Sequence, residues 1–141
     1  MRYLCKNNLI WGPIVRILIL EDNAERILEF YYMFNEHSLV VVNMADEAIR
    51  ALELKFDIIF LDHDLDGRTF VDSNEKNTGY QVAKVIPNTI NNTTPIVVHS
   101  WNGEGALNMK SALKNQKATV VHEFFSTFDR SIIKSLIKER E

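Results

Sequence analysis

The sequence predicts a three-layer α/β sandwich built around a five-stranded parallel sheet. Short apolar segments rich in β-branched residues alternate with longer segments that have helical spacing, and this pair of segments occurs five times. Such alternation is typical of a parallel sheet with helices on both faces. The chain has 141 residues, of which 46% are hydrophobic and 25% charged. This length and balance fit one globular domain.

Five segments have the composition of strands that are buried on both faces of a sheet. Residues 15–20, 57–61 and 95–98 are short and mostly apolar, and residues 39–42 and 119–121 are shorter versions of the same pattern. Strand order 2-1-3-4-5 is the usual arrangement for five such units joined by right-handed crossovers. We therefore expect this order.

Stripes of apolar side chains at helical spacing follow the strands. The first stripe runs from Ile27 to Phe34 behind Asn23, a residue type that is favoured as a helix N-cap. The other stripes span residues 48–54, 80–86, 106–113 and 132–137. Residues 66–77 are polar and long for a link between a strand and a helix, which indicates a functional loop.

The chain divides into an N-terminal extension, residues 1–14, and one domain, residues 15–141. The net charge of −3 and the lack of a Lys/Arg run in the sequence argue against duplex DNA as the main partner. No apolar run approaches the ~18 residues of a membrane span, and the N-terminus does not resemble a signal peptide. The single cysteine, Cys5, indicates a reducing compartment. We expect a cytoplasmic protein without a membrane partner, and its oligomeric state stays open.

Acidic residues and histidines follow the predicted strands. In open parallel sheets, ligands bind beyond the carboxyl ends of the strands, so these residues are expected to meet at one edge. Several carboxylates within a few ångströms raise one another's pKa, and such a cluster needs a cation, protonated histidines or an arginine such as Arg26. In strand order the residues are Glu21 and Asp22, then Asp62, His63 and Asp64, then His99, Ser100 and Asn102, and finally His122.

Residues 17–22 (Ile-Leu-Ile-Leu-Glu-Asp) and residues 57–62 (Asp-Ile-Ile-Phe-Leu-Asp) resemble the first and third strands of response-regulator receiver domains. In that family, whose fold is flavodoxin-like, the third strand ends in the phosphoacceptor aspartate, which matches Asp62. Ser100 matches the hydroxyl residue that contacts the phosphoryl group. The resemblance covers about residues 15–139. It implies a Mg²⁺ site formed by Glu21, Asp22 and Asp62, because oxygen ligands suit that ion.

Two further motifs are similar to a narrower group. They are residues 61–65 (Leu-Asp-His-Asp-Leu) and residues 99–102 (His-Ser-Trp-Asn), which accompany the acidic pair and Arg26. The group is the cyclic-phosphate processing receiver-like domains, proposed to act on cyclic phosphates in bacterial and phage conflict or RNA-repair systems. Receivers end the fifth strand with a lysine that would neutralise an acyl phosphate. His122-Glu123 stands there instead, which weakens the prediction of ordinary phosphorelay.

The resemblance implies a phosphoesterase that binds a small phosphorylated ligand, a nucleotide or an RNA end, and hydrolyses its cyclic phosphate. Opening that ester requires a base, an acid and a positive group. We expect His99 and His122 to act as the acid and base, with His63 as a further candidate, and Asp62 and Asp64 to orient a histidine or hold a metal. Phosphate contacts are expected from Ser100, Asn102 and Arg26. A divalent metal, Mg²⁺ or Mn²⁺, is expected on Glu21, Asp22 and Asp62.

Two other functions fit the same residues. The first is a signalling receiver that is phosphorylated on Asp62. The second is a pseudo-receiver that binds its ligand without catalysis. The architecture alone cannot separate the three, because it hosts many functions.

Overall fold

The computed structural model describes residues 14–138 of the chain. Five parallel strands form one sheet in the order β2-β1-β3-β4-β5, which confirms the predicted order. The strands are β1 (Arg16–Leu20), β2 (Ser38–Val42), β3 (Ile58–Leu61), β4 (Ile96–Val98) and β5 (Val120–His122).

Five helices connect the strands or follow them. Their bounds are α1 (Ala24–Met33), α2 (Ala45–Ala51), α3 (Gly79–Val85), α4 (Gly103–Ala112) and α5 (Ser131–Lys138). Asn23 caps α1 as predicted, since its side chain accepts a hydrogen bond from the Arg26 backbone N–H at 3.0 Å. The second helix ends at Ala51, three residues before the end of its apolar stripe, and Leu52 continues the packing from the turn that follows.

The sheet separates two apolar clusters, which makes the fold a three-layer sandwich. One cluster contains residues of α2, α3 and α4 together with Leu20, Leu61 and Val98. The other contains residues of α1 and α5 together with Ile19 and Phe60. Since side chains alternate between the faces of a strand, the two clusters take alternate residues of the same strands.

The last residues of four strands lie in one row across the sheet. Leu20 pairs with Leu61, Leu61 with Val98, and Val98 with His122. The residues that follow the first three strands are Glu21, Asp62 and His99. The strand register therefore brings the predicted site residues to one edge of the sheet.

The predicted extension, residues 1–14, lies outside the described residues except for Ile14, and so does Cys5. Within residues 14–138, none of the helices has the length and apolar character that crossing a membrane requires.

Substitution of Gly79 can test how tightly α3 packs against the end of β3. A Cβ atom added at Gly79 would lie 1.9 Å from the backbone oxygen of Asp62. We expect Gly79→Ala to lower the free energy of unfolding by about 3 kcal/mol or more, because the clash is with backbone that cannot move aside cheaply. Gly103→Ala is the control, since a Cβ there has no neighbour within 4 Å. Denaturant unfolding of both variants measures the difference, and equal stabilities would contradict this packing.

Candidate functional site

Glu21 is a fully buried carboxylate at the end of β1. Its oxygens accept hydrogen bonds from Arg26, with Nε 2.8 Å from Oε1 and Nη2 3.0 Å from Oε2. The backbone N–H groups of Asp22 and Asn23 also donate to Oε2, each at 3.0 Å. This set of donors compensates the Glu21 charge, as a buried carboxylate requires.

Asp62 follows β3 beside Glu21 and is also buried. Its Oδ1 accepts the backbone N–H of His63 at 2.8 Å, and its Oδ2 lies 3.5 Å from Nη2 of Arg26. Burial and the neighbouring charge of Glu21 raise the pKa of Asp62 to about 8, although Arg26 opposes the rise. The Asp62 carboxyl is therefore undercompensated and favours either a proton or an additional cation.

Asp22 completes an acidic cluster with Glu21 and Asp62. One carboxylate oxygen from each residue can be chosen so that all three lie within 4.8 Å of one another. The Asp22 side chain also accepts the backbone N–H of Gly67 at 2.6 Å, which ties it to the loop after β3. Burial raises the pKa of Asp22, against the effect of the Gly67 hydrogen bond.

The acidic cluster fits a divalent cation. Its three residues offer carboxylate oxygens, the ligands that Mg²⁺ takes, and the distances allow one ion to be shared. The raised pKa of Asp62 also favours a bound cation. Arg26 compensates the negative charge at Asp62 only in part, and a cation would supply the rest.

His99 lies behind Glu21 and among aromatic rings. Its Nδ1 is 3.7 Å from Oε1 of Glu21, and its ring contacts Phe30, Phe125 and Phe128 with centroids 5.5–6.5 Å apart. Within residues 14–138, neither ring nitrogen has a hydrogen-bond partner. Burial, and after it the positive charge of Arg26, lower the pKa of His99 to about 3. His99 is therefore neutral at physiological pH.

His122 occupies the end of β5 and points to the opposite face from His99. It pairs with Val98, whose side chain belongs to the cluster under α2, α3 and α4, whereas His99 packs against α1. The two histidines thus lie on neighbouring strands but not side by side. Nε2 of His122 is 2.9 Å from the Ser100 carbonyl oxygen. Because a carbonyl only accepts, Nε2 carries a proton and Nδ1 is the nitrogen that can exchange one.

Ser100 is buried two residues beyond the end of β4. Its hydroxyl accepts the backbone N–H of Asn102 at 3.0 Å. A serine hydroxyl that accepts a hydrogen bond keeps its own proton, so the Ser100 hydroxyl can still donate one.

His63 and Asp64 build the loop between β3 and α3. Nδ1 of the buried His63 ring lies 2.7 Å from Oδ1 of Asp64, and Nε2 lies 2.8 Å from the Ser73 hydroxyl. A Cβ atom at Gly105 would come within 2.5 Å of the His63 ring, so α4 can pack over the imidazole only because residue 105 is a glycine. The His63 side chain faces α4, on the other side of the sheet from the Asp62 contact with Arg26.

Asp64 accepts hydrogen bonds from several parts of the chain. Besides His63, the donors are the backbone N–H groups of Phe70 at 2.6 Å and Val71 at 3.2 Å, and the side-chain amide of Asn102 at 3.0 Å. Burial alone would raise the pKa of Asp64, but these hydrogen bonds outweigh it and lower the pKa. The network holds Phe70 at a positive φ of 52°, which is uncommon for a residue with a side chain.

Asn102 joins this loop to the start of α4. Its side-chain oxygen caps the helix by accepting the Gly105 N–H at 2.9 Å, and its amide nitrogen donates to Asp64 and to the Val71 carbonyl at 3.1 Å. The amide has two N–H groups, and both have acceptors within the protein.

The predicted residues therefore form two groups. The first is the acidic cluster with Arg26 and His99, and Ser100 and His122 lie at the ends of β4 and β5 on the same edge of the sheet. The second is the loop network of His63, Asp64 and Asn102. The structure adds contacts that the sequence reasoning did not assign, namely those of Gly67, Ser73 and Gly105. The length and polarity of residues 66–77 indicated a functional loop, and this loop contains Gly67 and Ser73. No sequence pattern identified the individual residues.

Comparison with known proteins identifies the chain's relatives. The family described as "Cyclic-phosphate processing Receiver domain" matches residues 16–115. No curated protein matches the chain.

Several solved structures share the fold. The receiver domain of sensor histidine kinase PA1611 from Pseudomonas aeruginosa, with a magnesium ion in its active-site cleft, has a TM-score of 0.65 at 19% identity over 89% of this chain and 96% of that one. A CheY-like receiver domain from Methylobacillus flagellatus has a TM-score of 0.62 at 14% identity, covering 91% and 99%. The Mn²⁺-bound form of response regulator Rcp1 has a TM-score of 0.57 at 14% identity, covering 88% and 90%.

The raised pKa of Asp62 predicts a specific pH dependence of stability in the absence of divalent ions. The folded carboxyl keeps its proton up to about pH 8, whereas the unfolded one loses it near 3.8. Asp62 therefore lowers the free energy of unfolding as pH rises through this window. The Asp62→Asn variant should lack this contribution, so its stability relative to wild type should increase with pH.

Denaturant unfolding in EDTA at several pH values measures this difference. His99 has a depressed pKa, so its contribution to the free energy of unfolding rises with pH below 6.5. Both proteins contain His99, and the difference between their stabilities therefore removes this contribution. Asp46→Asn is the control, because the Asp46 side chain is exposed and pairs with Arg50 on the surface of α2. A constant difference between Asp62→Asn and wild type would show that Asp62 is ionised throughout.

Proposed function

The chain belongs to the family of cyclic-phosphate processing receiver domains, and from that premise we propose that it hydrolyses the cyclic phosphate of a nucleotide or an RNA end with the help of a divalent cation. The observation that carries this proposal is the cluster of the buried Glu21 and Asp62 with the half-buried Asp22. Arg26 contacts both buried carboxylates and still leaves Asp62 undercompensated. An anionic phosphate can approach such a cluster only if additional positive charge is present. The proposal therefore couples phosphate binding to cation binding.

Mg²⁺ or Mn²⁺ is the cation we propose for this cluster. Its donors are carboxylate oxygens, which both ions accept. Two receiver domains of the same fold hold these ions, the PA1611 receiver with magnesium and Rcp1 with Mn²⁺. When bound, the ion would supply charge stabilisation to the phosphate oxygens.

The neighbouring residues would hold the phosphate. Arg26 lies against the cluster with about a third of its side chain exposed, so its guanidinium can face a ligand as well as Glu21. The Ser100 hydroxyl can donate a hydrogen bond from the end of β4. Asn102, Asp64 and His63 would act indirectly, because their hydrogen bonds hold the loop whose Gly67 N–H fixes Asp22.

His122 is the residue we propose for proton transfer to the leaving group. Its ring is oriented by the Ser100 carbonyl, and its Nδ1 can carry the exchangeable proton. His99 is less suited, because a pKa near 3 leaves it without an acidic proton at neutral pH. We assign His99 to positioning, as a neutral ring that packs behind Glu21.

The proposed reaction consumes one water molecule. The water oxygen forms a bond to phosphorus while one ester bond between phosphorus and a ribose oxygen breaks. A carboxylate of the acidic cluster takes the water proton, and His122 donates a proton to the departing ribose oxygen. The product is a phosphomonoester. The carboxyl group then releases its proton to solvent and His122 takes one up, which restores both groups.

Phosphorylation of Asp62 is the second candidate function. Asp62 directly follows β3 beside the acidic pair, with Ser100 at the end of the adjacent strand, which is the arrangement the receiver resemblance implies. Its carboxylate would attack an acyl phosphate as a nucleophile and would need no histidine. Binding without catalysis is the remaining alternative, and the same experiment separates all three.

We expect hydrolysis of adenosine 2′,3′-cyclic phosphate, or of an oligoribonucleotide with a 2′,3′-cyclic end, in Mg²⁺ or Mn²⁺ and its loss in EDTA. Asp62→Asn should abolish hydrolysis and the thermal stabilisation that the ion alone produces, because it removes a ligand charge from the acidic cluster. Asp46→Asn, the same change on an exposed surface, should retain both. Incubation with acetyl phosphate should leave the intact mass unchanged. A stable phosphoprotein without hydrolysis would favour the signalling receiver, and ligand binding without either product would favour the binding module.

His122→Ala should lower kcat by about 10²–10⁴, because an unassisted ribose alkoxide is a poor leaving group. The loss should be much smaller for bis(p-nitrophenyl) phosphate, whose leaving group needs no proton. His37→Ala is the matched control, since His37 accepts the Val15 N–H at the opposite end of the sheet. Equal losses on both esters would show that His122 does not protonate the leaving group.

A further inference from the structure

Two aromatic residues form a stacked pair beside the proposed site. The rings of Trp101 and Phe124 have centroids 4.3 Å apart and an interplanar angle of 13°. Trp101 directly follows Ser100 at the end of β4, and Phe124 lies two residues after His122, whose ring it meets edge-on at 5.2 Å. The pair thus adjoins Ser100 and His122, at the edge of the sheet that carries the acidic cluster.

The pair is exposed to solvent, unlike the aromatic residues of the core. Trp101 is 61% exposed and Phe124 is 37% exposed. Since Phe124 covers one face of the indole, much of the exposed area belongs to the other face and the ring edge. Stacking on Phe124 also holds the indole in place, so little conformational freedom is left to lose when a ligand binds.

We propose that the exposed face of Trp101 binds the base of a nucleoside cyclic phosphate by stacking, which makes the Trp101–Phe124 pair the base subsite of the proposed active site. This inference rests on the proposed function for the position of the phosphate. Adjacent strands lie about 4.8 Å apart, so β4 and β5 place the pair roughly 5–10 Å from Asp62 along the edge of the sheet. A ribose can bridge a base and a phosphate over such a gap.

Charge favours a mononucleotide over a polynucleotide in this subsite. Two exposed carboxylates lie near the pair in sequence. Glu104 is three residues after Trp101, and Glu123 directly precedes Phe124. Polynucleotides bind through Lys and Arg contacts to successive phosphates, and acidic groups at the rim repel those phosphates. Stacking tolerates different bases because every base has a π-face, so we expect weak discrimination among bases.

Fluorescence of Trp101 tests the subsite directly. In a Trp11→Phe background Trp101 is the remaining tryptophan of the chain. Titration with adenosine 2′,3′-cyclic phosphate in Mg²⁺ should quench its emission, and methyl riboside 2′,3′-cyclic phosphate, which has no base, should not. An oligoribonucleotide with the same cyclic end should bind no more tightly than the mononucleotide. Absence of quenching by the nucleotide would overturn the proposal, and tenfold tighter binding of the oligonucleotide would overturn its mononucleotide form.

Substitution of Trp101 provides a second measurement. Trp101→Ala should weaken binding of the adenosine ester, measured by calorimetry, by about tenfold to a hundredfold and leave the base-free ester unchanged. Trp101→Phe should keep most of the affinity. Tyr32→Ala is the control, because Tyr32 is 77% exposed in the last turn of α1, away from the carboxyl ends of the strands. Unchanged affinity in Trp101→Ala would contradict the subsite.

The two proposals fail in different ways. If both esters are hydrolysed at the same rate and Trp101→Ala has no effect, the hydrolase stands and the base subsite is excluded. If the adenosine ester quenches Trp101 and binds more tightly than the base-free ester, but neither is hydrolysed, the base subsite stands and the hydrolase is excluded.

Discussion

Burial of the Glu21 and Asp62 carboxylates next to each other is the constraint on which the rest of the site depends. The register of β1 and β3 places them in adjacent positions at the sheet edge, where the surrounding protein screens their repulsion less than water would. Arg26 satisfies Glu21 with two short hydrogen bonds and reaches Asp62 only at 3.5 Å. Asp62 is therefore protonated or paired with another cation at neutral pH. The arrangement makes sense for a site that gains charge compensation from a bound ion.

Alternation of side chains along β3 divides the Asp-His-Asp motif between two tasks. Asp62 faces α1 and joins the acidic cluster, whereas His63 faces α4 and packs under Gly105. Asp64 stabilises the loop that follows it by accepting hydrogen bonds from the backbone N–H groups of Phe70 and Val71. In the same loop, the Gly67 N–H donates a hydrogen bond to Asp22. A motif that resembles one catalytic unit in sequence thus contributes one carboxylate to the acidic cluster and another that supports the loop contacting Asp22.

The fold was predictable from sequence, because strands buried on both faces of a parallel sheet are recognisably apolar and the β-α alternation leaves few topologies. The residues at the strand ends were predictable for the same reason, since the order of strands determines which ends are neighbours. The contacts within the site were not. Ser73 and Gly67 act through a hydroxyl and a backbone N–H whose partners are distant in sequence. Asn91, in the turn before β4, is buried and hydrogen-bonds to the backbone of Leu52 and Phe56. Such hydrogen bonds depend on the tertiary fold, so composition and periodicity carry no trace of them.

The order of groups along the sheet edge defines how a ligand would lie. The acidic cluster belongs to β1 and β3, the serine to β4, the exchangeable histidine nitrogen to β5, and the aromatic pair lies beyond the last two strands. A phosphate at the cluster would place its ester oxygen towards β5, where a receiver domain would have a lysine. A lysine there would hold a fixed positive charge against a phosphoryl group on the aspartate. His122, with Nε2 held by the Ser100 carbonyl, would instead present Nδ1 as a nitrogen that can give and recover a proton. In the proposed hydrolysis, the presence of His122-Glu123 in place of that lysine would suit turnover rather than a stable phosphoprotein.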